Sequence, residues 1–141
     1  MTTHPRTLVR TAIAALLETA LPAATIYRSR SRPVGRRDGD PQAVEIFTPR
    51  ETSQRGAGTP GKYERMISVA IAGHVTGGGE DPADVADALA LRIEQALEAN
   101  GTLGGLALDC ALTATDMALD GSAWAGAAFM QSWDVLVTSE T

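Results

Sequence analysis

The chain of 141 residues has one cysteine, and aromatic side chains make up only 4% of it. A single cysteine excludes an internal disulfide framework and offers no zinc-ligand spacing. Nothing in the sequence calls for an oxidising compartment. With so few aromatics, alanine and the aliphatic side chains must fill most of the interior. Long apolar runs are missing too: Arg6, Arg10 and Glu18 interrupt the opening stretch, which falls short of the roughly 20 apolar residues of a membrane span. These features predict a soluble, cytoplasmic chain. Basic residues are scarce in the second half. Arg92 is the only one after residue 65 and faces eleven acids, whereas residues 1–65 carry the other eleven Lys and Arg against six acids. A net +5 beside a net −10 is partly relieved where the two halves meet, within one fold or between neighbouring copies.

What is present suits one globular domain spanning 1–141. Hydrophobic residues are 44% and charged residues 21%, ordinary values for a folded protein. From Pro5 to Leu21, the apolar positions Leu8, Val9, Ala12, Ile13, Leu16, Leu17 and Ala20 recur at helical spacing and predict an amphipathic helix. Pro22 ends it. Ala24–Arg28 reads as a short strand, residues 29–42 as a polar loop, and Ala43–Pro49 as a second strand stopped by its proline. Residues 50–62 read as a second long polar loop. After it, Tyr63, Ile67, Val69, Ile71 and Val75 alternate with Glu64, Ser68 and His74, which is strand periodicity. Asp81 as N-cap, Pro82 in the first turn and Asn100-Gly101 as a stop frame a second helix with the stripe Val85, Leu89, Ile93, Ala96 and Leu97. Leu106, Leu108, Cys110 and Leu112 predict a half-buried strand. A turn at Asp120-Gly121 leads into a last strand with Phe129, Trp133, Val135 and Val137 on one face. No internal repeat is evident. The expected fold is α+β, in the order α-β-β-β-α-β-β, with a mostly antiparallel sheet and both helices on one face.

Motifs that carry chemistry are few. Arg55–Tyr63, RGAGTPGKY, nearly spells a phosphate-cradling loop, with Gly56, Gly61 and Lys62 at the right spacing. Such a loop opens a helix and follows its lysine with Ser or Thr. Here Tyr63 takes that place and a strand pattern follows, so the reading is a flexible loop with incidental glycines. Gly77–Gly79 precede a helix, but Glu80, Asp81 and Asp84 would repel a phosphate there. Those acids, with Asp87, lack the ligand alternation of a calcium loop and read as a capped, solvated first turn. His4, in a terminus expected to fray, and His74 each lack an identifiable nucleophile or carboxylate partner. Cys110 reads as a small buried apolar residue, Trp133 as core, and Trp124 as core or interface. Arg28, Arg30, Arg32, Arg36 and Arg37 form the densest charge run. A solvated or subunit-contact loop is preferred over direct nucleic-acid contact, because the chain is acidic and lacks interleaved aromatics. No constellation supports an enzyme, and no cofactor or metal is expected.

The whole chain resembles the tail-terminator family of long-tailed bacteriophages, the minor tail protein U-like proteins. The resemblance is carried by LVRTAIAALLETAL as the opening helix, PQAVEIFTP, YERMISVAIAGHV, DPADVADALALRIEQAL as the capped helix, and DGSAWAGAAFMQSWDVLVTSE as the closing turn and strand. It covers nearly the whole chain through apolar spacing and element order, without a catalytic signature. It implies a structural virion protein, assembled in the host cytoplasm. Copies would form a ring, a hexamer in that family, on the head-proximal end of the tail tube, stop tube growth and face the head connector or neck protein. Ring contacts are heterologous, so a basic flank can face an acidic one. On that expectation Arg28, Arg30, Arg32, Arg36 and Arg37 take part in subunit contacts, with Asp116 and Asp120 as acidic counterparts. The alternatives are another head-to-tail joining protein, such as a neck or tail-completion component, and a nucleic-acid-binding module acting through the arginine loop.

Overall fold

Two helices supply nine of the 23 buried residues of the core cluster. Pro5–Ala20 forms α1, which buries Val9, Ile13, Ala14 and Leu17. Pro82–Ala99 forms α2, which buries Ala86, Leu89, Ala90, Ile93 and Leu97. Both start on a side-chain cap followed by proline, whose missing N–H costs nothing in a first turn. The Asp81 carboxylate accepts from the Ala83 N–H at 3.0 Å. In the computed structural model, which describes residues 3–28, 42–56, 61–76, 81–120 and 126–140, both helices lie against one face of a five-stranded sheet.

The strands are β1 (Thr25–Arg28), β2 (Gln42–Arg55), β3 (Lys62–Thr76), β4 (Asp109–Asp120) and β5 (Gly126–Glu140), in the spatial order β1-β2-β3-β5-β4. The fold is α+β, as expected, but the sheet is mixed. β1 pairs with β2 in parallel, while β2–β3, β3–β5 and β4–β5 are antiparallel. The 13 residues between β1 and β2 are enough for the crossover that a parallel pair requires, so their length did not dictate antiparallel neighbours. α2 also separates the last hairpin from β3, and β5, not β4, takes the place beside it.

The expected end of the second strand at Pro49 is a correction. β2 continues to Arg55, with Arg50 opposite Ser68 and Arg55 opposite Tyr63. Proline has no N–H for the ladder, and the chain absorbs it in a bulge between Phe47 and Arg50. The expected loop of residues 50–62 is therefore mostly one half of a hairpin. Its closing turn includes a Gly56 N–H to Lys62 carbonyl bond of 2.9 Å, and residues 57–60 lie outside the described residues. Of the loop expected over residues 29–42, all but Gln42 lies outside them as well.

The fourth strand starts later and runs further than its leucines suggest. A 3₁₀ turn at Leu103–Gly105 precedes it, and Leu108 is 60% exposed instead of joining the buried face. Elsewhere the alternation holds. Ile67, Val69, Ile71, Val75, Phe129, Trp133, Val135 and Val137 share one buried cluster with both helices. Gly73 is opposite Phe129, and a β-carbon at Gly73 would fall 2.2 Å from the phenyl ring. Only glycine lets the ring lie there.

Candidate functional site

The sheet order turns the charge segregation of the sequence into a spatial one. β1, β2 and α1, which packs on them, hold Arg6, Arg10, Arg28, Arg50 and Arg55 against Glu18, Glu45 and Glu51. β4, at the other margin, and α2, which packs across β5, β3 and β4, hold Asp84, Asp87, Glu94, Glu98, Asp109, Asp116 and Asp120 against Arg92. One flank of the molecule is basic and the other acidic.

Bulges at both margins decide which way those charges face. The β2 bulge inserts one residue, so the helix-facing positions switch from Val44 and Ile46 to Glu51 and Ser53. A like shift in β4, between Leu112 and Ala114, moves the helix-facing set from Cys110 and Leu112 to Thr115 and Met117. A one-residue shift sends every later side chain to the opposite face. Arg50 and Asp116 thereby come to the face that carries no helix.

On the helix side, Glu51 sits among cations. Its Oε2 accepts from Arg65 at 2.5 Å and from Ser53 at 2.5 Å, while Arg6 and His4 lie 3.8 and 3.9 Å from Oε1. Burial alone would push the Glu51 carboxyl up; hydrogen bonds from Ser53 and Arg65, with the charges of Arg65 and His4, instead hold it below its ordinary value. Arg65 is further fixed by donating from Nε to Ser139 Oγ at 2.7 Å and by stacking over Tyr63. His4 Nδ1 accepts the Arg6 backbone N–H at 3.1 Å and caps α1, so this residue is tied down and not frayed. The cluster anchors the start of α1 to the β2–β3 hairpin. Reading Pro49 as a stop concealed it, because Glu51 was then a loop residue.

Gln131 is a second polar residue that the sequence reading passed over. It is fully buried, donates to the Ala90 carbonyl at 3.0 Å and accepts from Trp133 Nε1 at 3.0 Å. Its place in the stripe from Phe129 to Val137 was the available signal. A polar residue at an inward position must find partners.

Among the described residues, no helix lies over the opposite face of β3, β5 and β4. It carries Met66, Ser68 and Ala70 on β3, Met130, Ser132 and Leu136 on β5, and Ala111, Ala114 and Asp116 on β4. Met130 is 41% exposed and borders two shallow clefts. One is lined by Arg10, Phe47, Thr48, Pro49 and Ala70, the other by Ala72, His74, Asp116, Met117 and Ala128. On the same side Ala43 and Glu45 of β2 are buried, so the uncovered area is centred on β3 and β5.

Of the subunit-contact residues singled out by sequence, the two whose side chains are described, Arg28 and Asp116, lie far apart in one subunit. Arg28 is exposed at the end of β1 and donates to Thr11 Oγ1 of α1 at 2.6 Å. Asp116 is exposed on β4. They occupy opposite margins, four strand spacings or about 19 Å apart. Asp120 closes β4 opposite Gly126, its side chain outside the described residues, and Arg30, Arg32, Arg36 and Arg37 also lie outside them. So do Gly77–Gly79 and Trp124. Lys62 of the near-phosphate loop opens a strand and not a helix. Burial pushes the Cys110 thiol up to about 11, with Asp109 and Glu98 adding to the effect, which leaves it unreactive. Among the described residues no group of three His, Cys, Asp or Glu side chains could hold a metal, and no helix is long and apolar enough to cross a membrane. The chain matches no family model and no curated protein.

Proposed function

We propose that the protein is a self-assembling structural subunit of the tail-terminator kind, whose copies form a ring on the head-proximal end of a phage tail tube, halt tube growth and present a surface for head joining. The observation that carries this reading is the pair of oppositely charged flanks on one sheet. A ring closes through contacts between two different patches, and a basic margin beside an acidic one supplies two such patches of matching sign. The described elements run α-β-β-β-α-β-β with a 3₁₀ turn before β4, which supports a reading that leans on element order. On this reading the Arg28–Arg37 stretch belongs to the basic contact side and Asp116 and Asp120 to the acidic one.

Electron microscopy of the purified full chain, alone and mixed with bare tail tubes, tests the proposal. Rings at one tube end, and tubes that no longer lengthen when tube protein is added, are expected. A chain that neither self-associates nor binds tubes overturns it. Rings bound only to head connectors would make it a neck component instead.

A further inference from the structure

Each flank ends in a strand margin, and open margins are templates for another strand. β1 covers β2 only from Ala43 to Ile46. Beyond the bulge, Arg50–Arg55 has β3 on one side and, among the described residues, no strand on the other. Beyond its own bulge, Ala114–Asp120 of β4 has β5 on one side and, again among the described residues, no strand on the other. These are uninterrupted stretches of six and seven residues, a close match in length. Natural edges are commonly blunted by lysine, proline or an inward-pointing charge. Proline interrupts β2 at Pro49, and Glu51 is an inward-pointing charge, though one neutralised by Arg65; neither stretch contains proline or lysine.

We propose that Arg50–Arg55 of one copy and Ala114–Asp120 of the next join as neighbouring strands, so that a single sheet continues from subunit to subunit. The inference rests on the reading of the chain as a ring-forming subunit and specifies its contact. Main-chain hydrogen bonds supply the attraction, as in other strand additions. Charge chooses the partner. Ala114–Asp120 contains two aspartates and no cation, whereas Arg50–Arg55 has arginine at both ends and its one acid, Glu51, is engaged by Arg65. Two β4 margins repel each other, and so do two β2 margins; only the unlike pair is favourable. Growth is therefore head to tail, the arrangement that a ring requires.

The bulges make the junction specific. They bring Arg50 and Asp116 to the same helix-free face, where opposite charges on adjacent strands attract. Without the inserted residues both side chains would point toward the helices. Arg50, and not the Arg28–Arg37 stretch, thus becomes the cross-strand partner of Asp116.

Disulfide trapping tests the junction. Full-length Arg50→Cys and Asp116→Cys chains are purified separately, mixed at high concentration and oxidised. Native Cys110 is buried and serves as the background. Covalent dimer is expected in the mixture at several times the yield from either variant alone. Equal yields overturn the junction, as does no dimer in a mixture whose parent chain self-associates. Sedimentation of the charge variants gives a second readout. Arg50→Asp and Asp116→Arg each weaken self-association several-fold at low salt, and the double reversal restores it. If the parent associates and all three variants behave like it, the junction is wrong while the ring reading stands. If the parent stays monomeric at every concentration and ignores tail tubes, both fall.

Discussion

The two faces of the central strands are built from the same backbone and do opposite things. On the helix side, β3 and β5 present Ile67, Val69, Ile71, Trp133 and Val135, all sealed beneath α1 and α2. On the other side the same strands present Ser68, Ala70, Met130, Ser132 and Asp134, small or half-exposed residues with no helix above them among the described residues. One face holds the fold together; the other contributes little to the core. Alternation along a strand lets a single segment serve both ends, because neighbouring side chains never share a surface.

The sharpest way to break this contrast is Trp133→Ala, which should cost about 3–5 kcal/mol in urea unfolding, the usual range for emptying a buried aromatic site. Gly73→Ala should follow at about 1–3 kcal/mol, because the new methyl meets the Phe129 ring. Adding Phe129→Leu to that variant should recover part of the loss. Gln131→Leu removes the partner of the Trp133 N–H and should cost about 1–3 kcal/mol, with a changed tryptophan fluorescence.

A pH series probes the anchored margin of the covered face. The Glu51 carboxyl is held below its ordinary value of 4.5, so its contribution is complete above that value and is lost as the pH falls through the depressed one. Glu51→Gln should flatten this part of the stability profile. The smallest effect belongs to the open face: Met130, 41% exposed, should tolerate Met130→Ser within about 0.5 kcal/mol of the parent in the same urea unfolding measurement.

Much of the architecture was legible because helix and strand periodicities write themselves into apolar spacing. Asp81 and Pro82 fixed the start of α2, and Phe129, Trp133, Val135 and Val137 fixed the buried side of β5. What failed were inferences from single residues. Pro49 looked like a terminus because proline cannot join a ladder, yet a bulge allows the strand to continue. Leu106 and Leu108 looked like strand residues by parity with Cys110, but the turn around Gly104 and Gly105, both at positive φ, sets the register afresh. The parallel pairing of β1 with β2 was open in the sequence, since the 13 residues between them are long enough for either direction. The residues of the proposed contact were half legible. Charge segregation showed in the sequence, whereas the faces on which Arg50 and Asp116 stand depend on two inserted residues that no alternation pattern reveals.

The packing of Phe129 on Gly73 carries a consequence for how this chain can change. Any side chain gained at position 73 must be matched by a smaller ring or no ring at position 129, so the two sites can drift only as a couple. A lineage that kept the aromatic would be bound to keep the bare backbone beneath it.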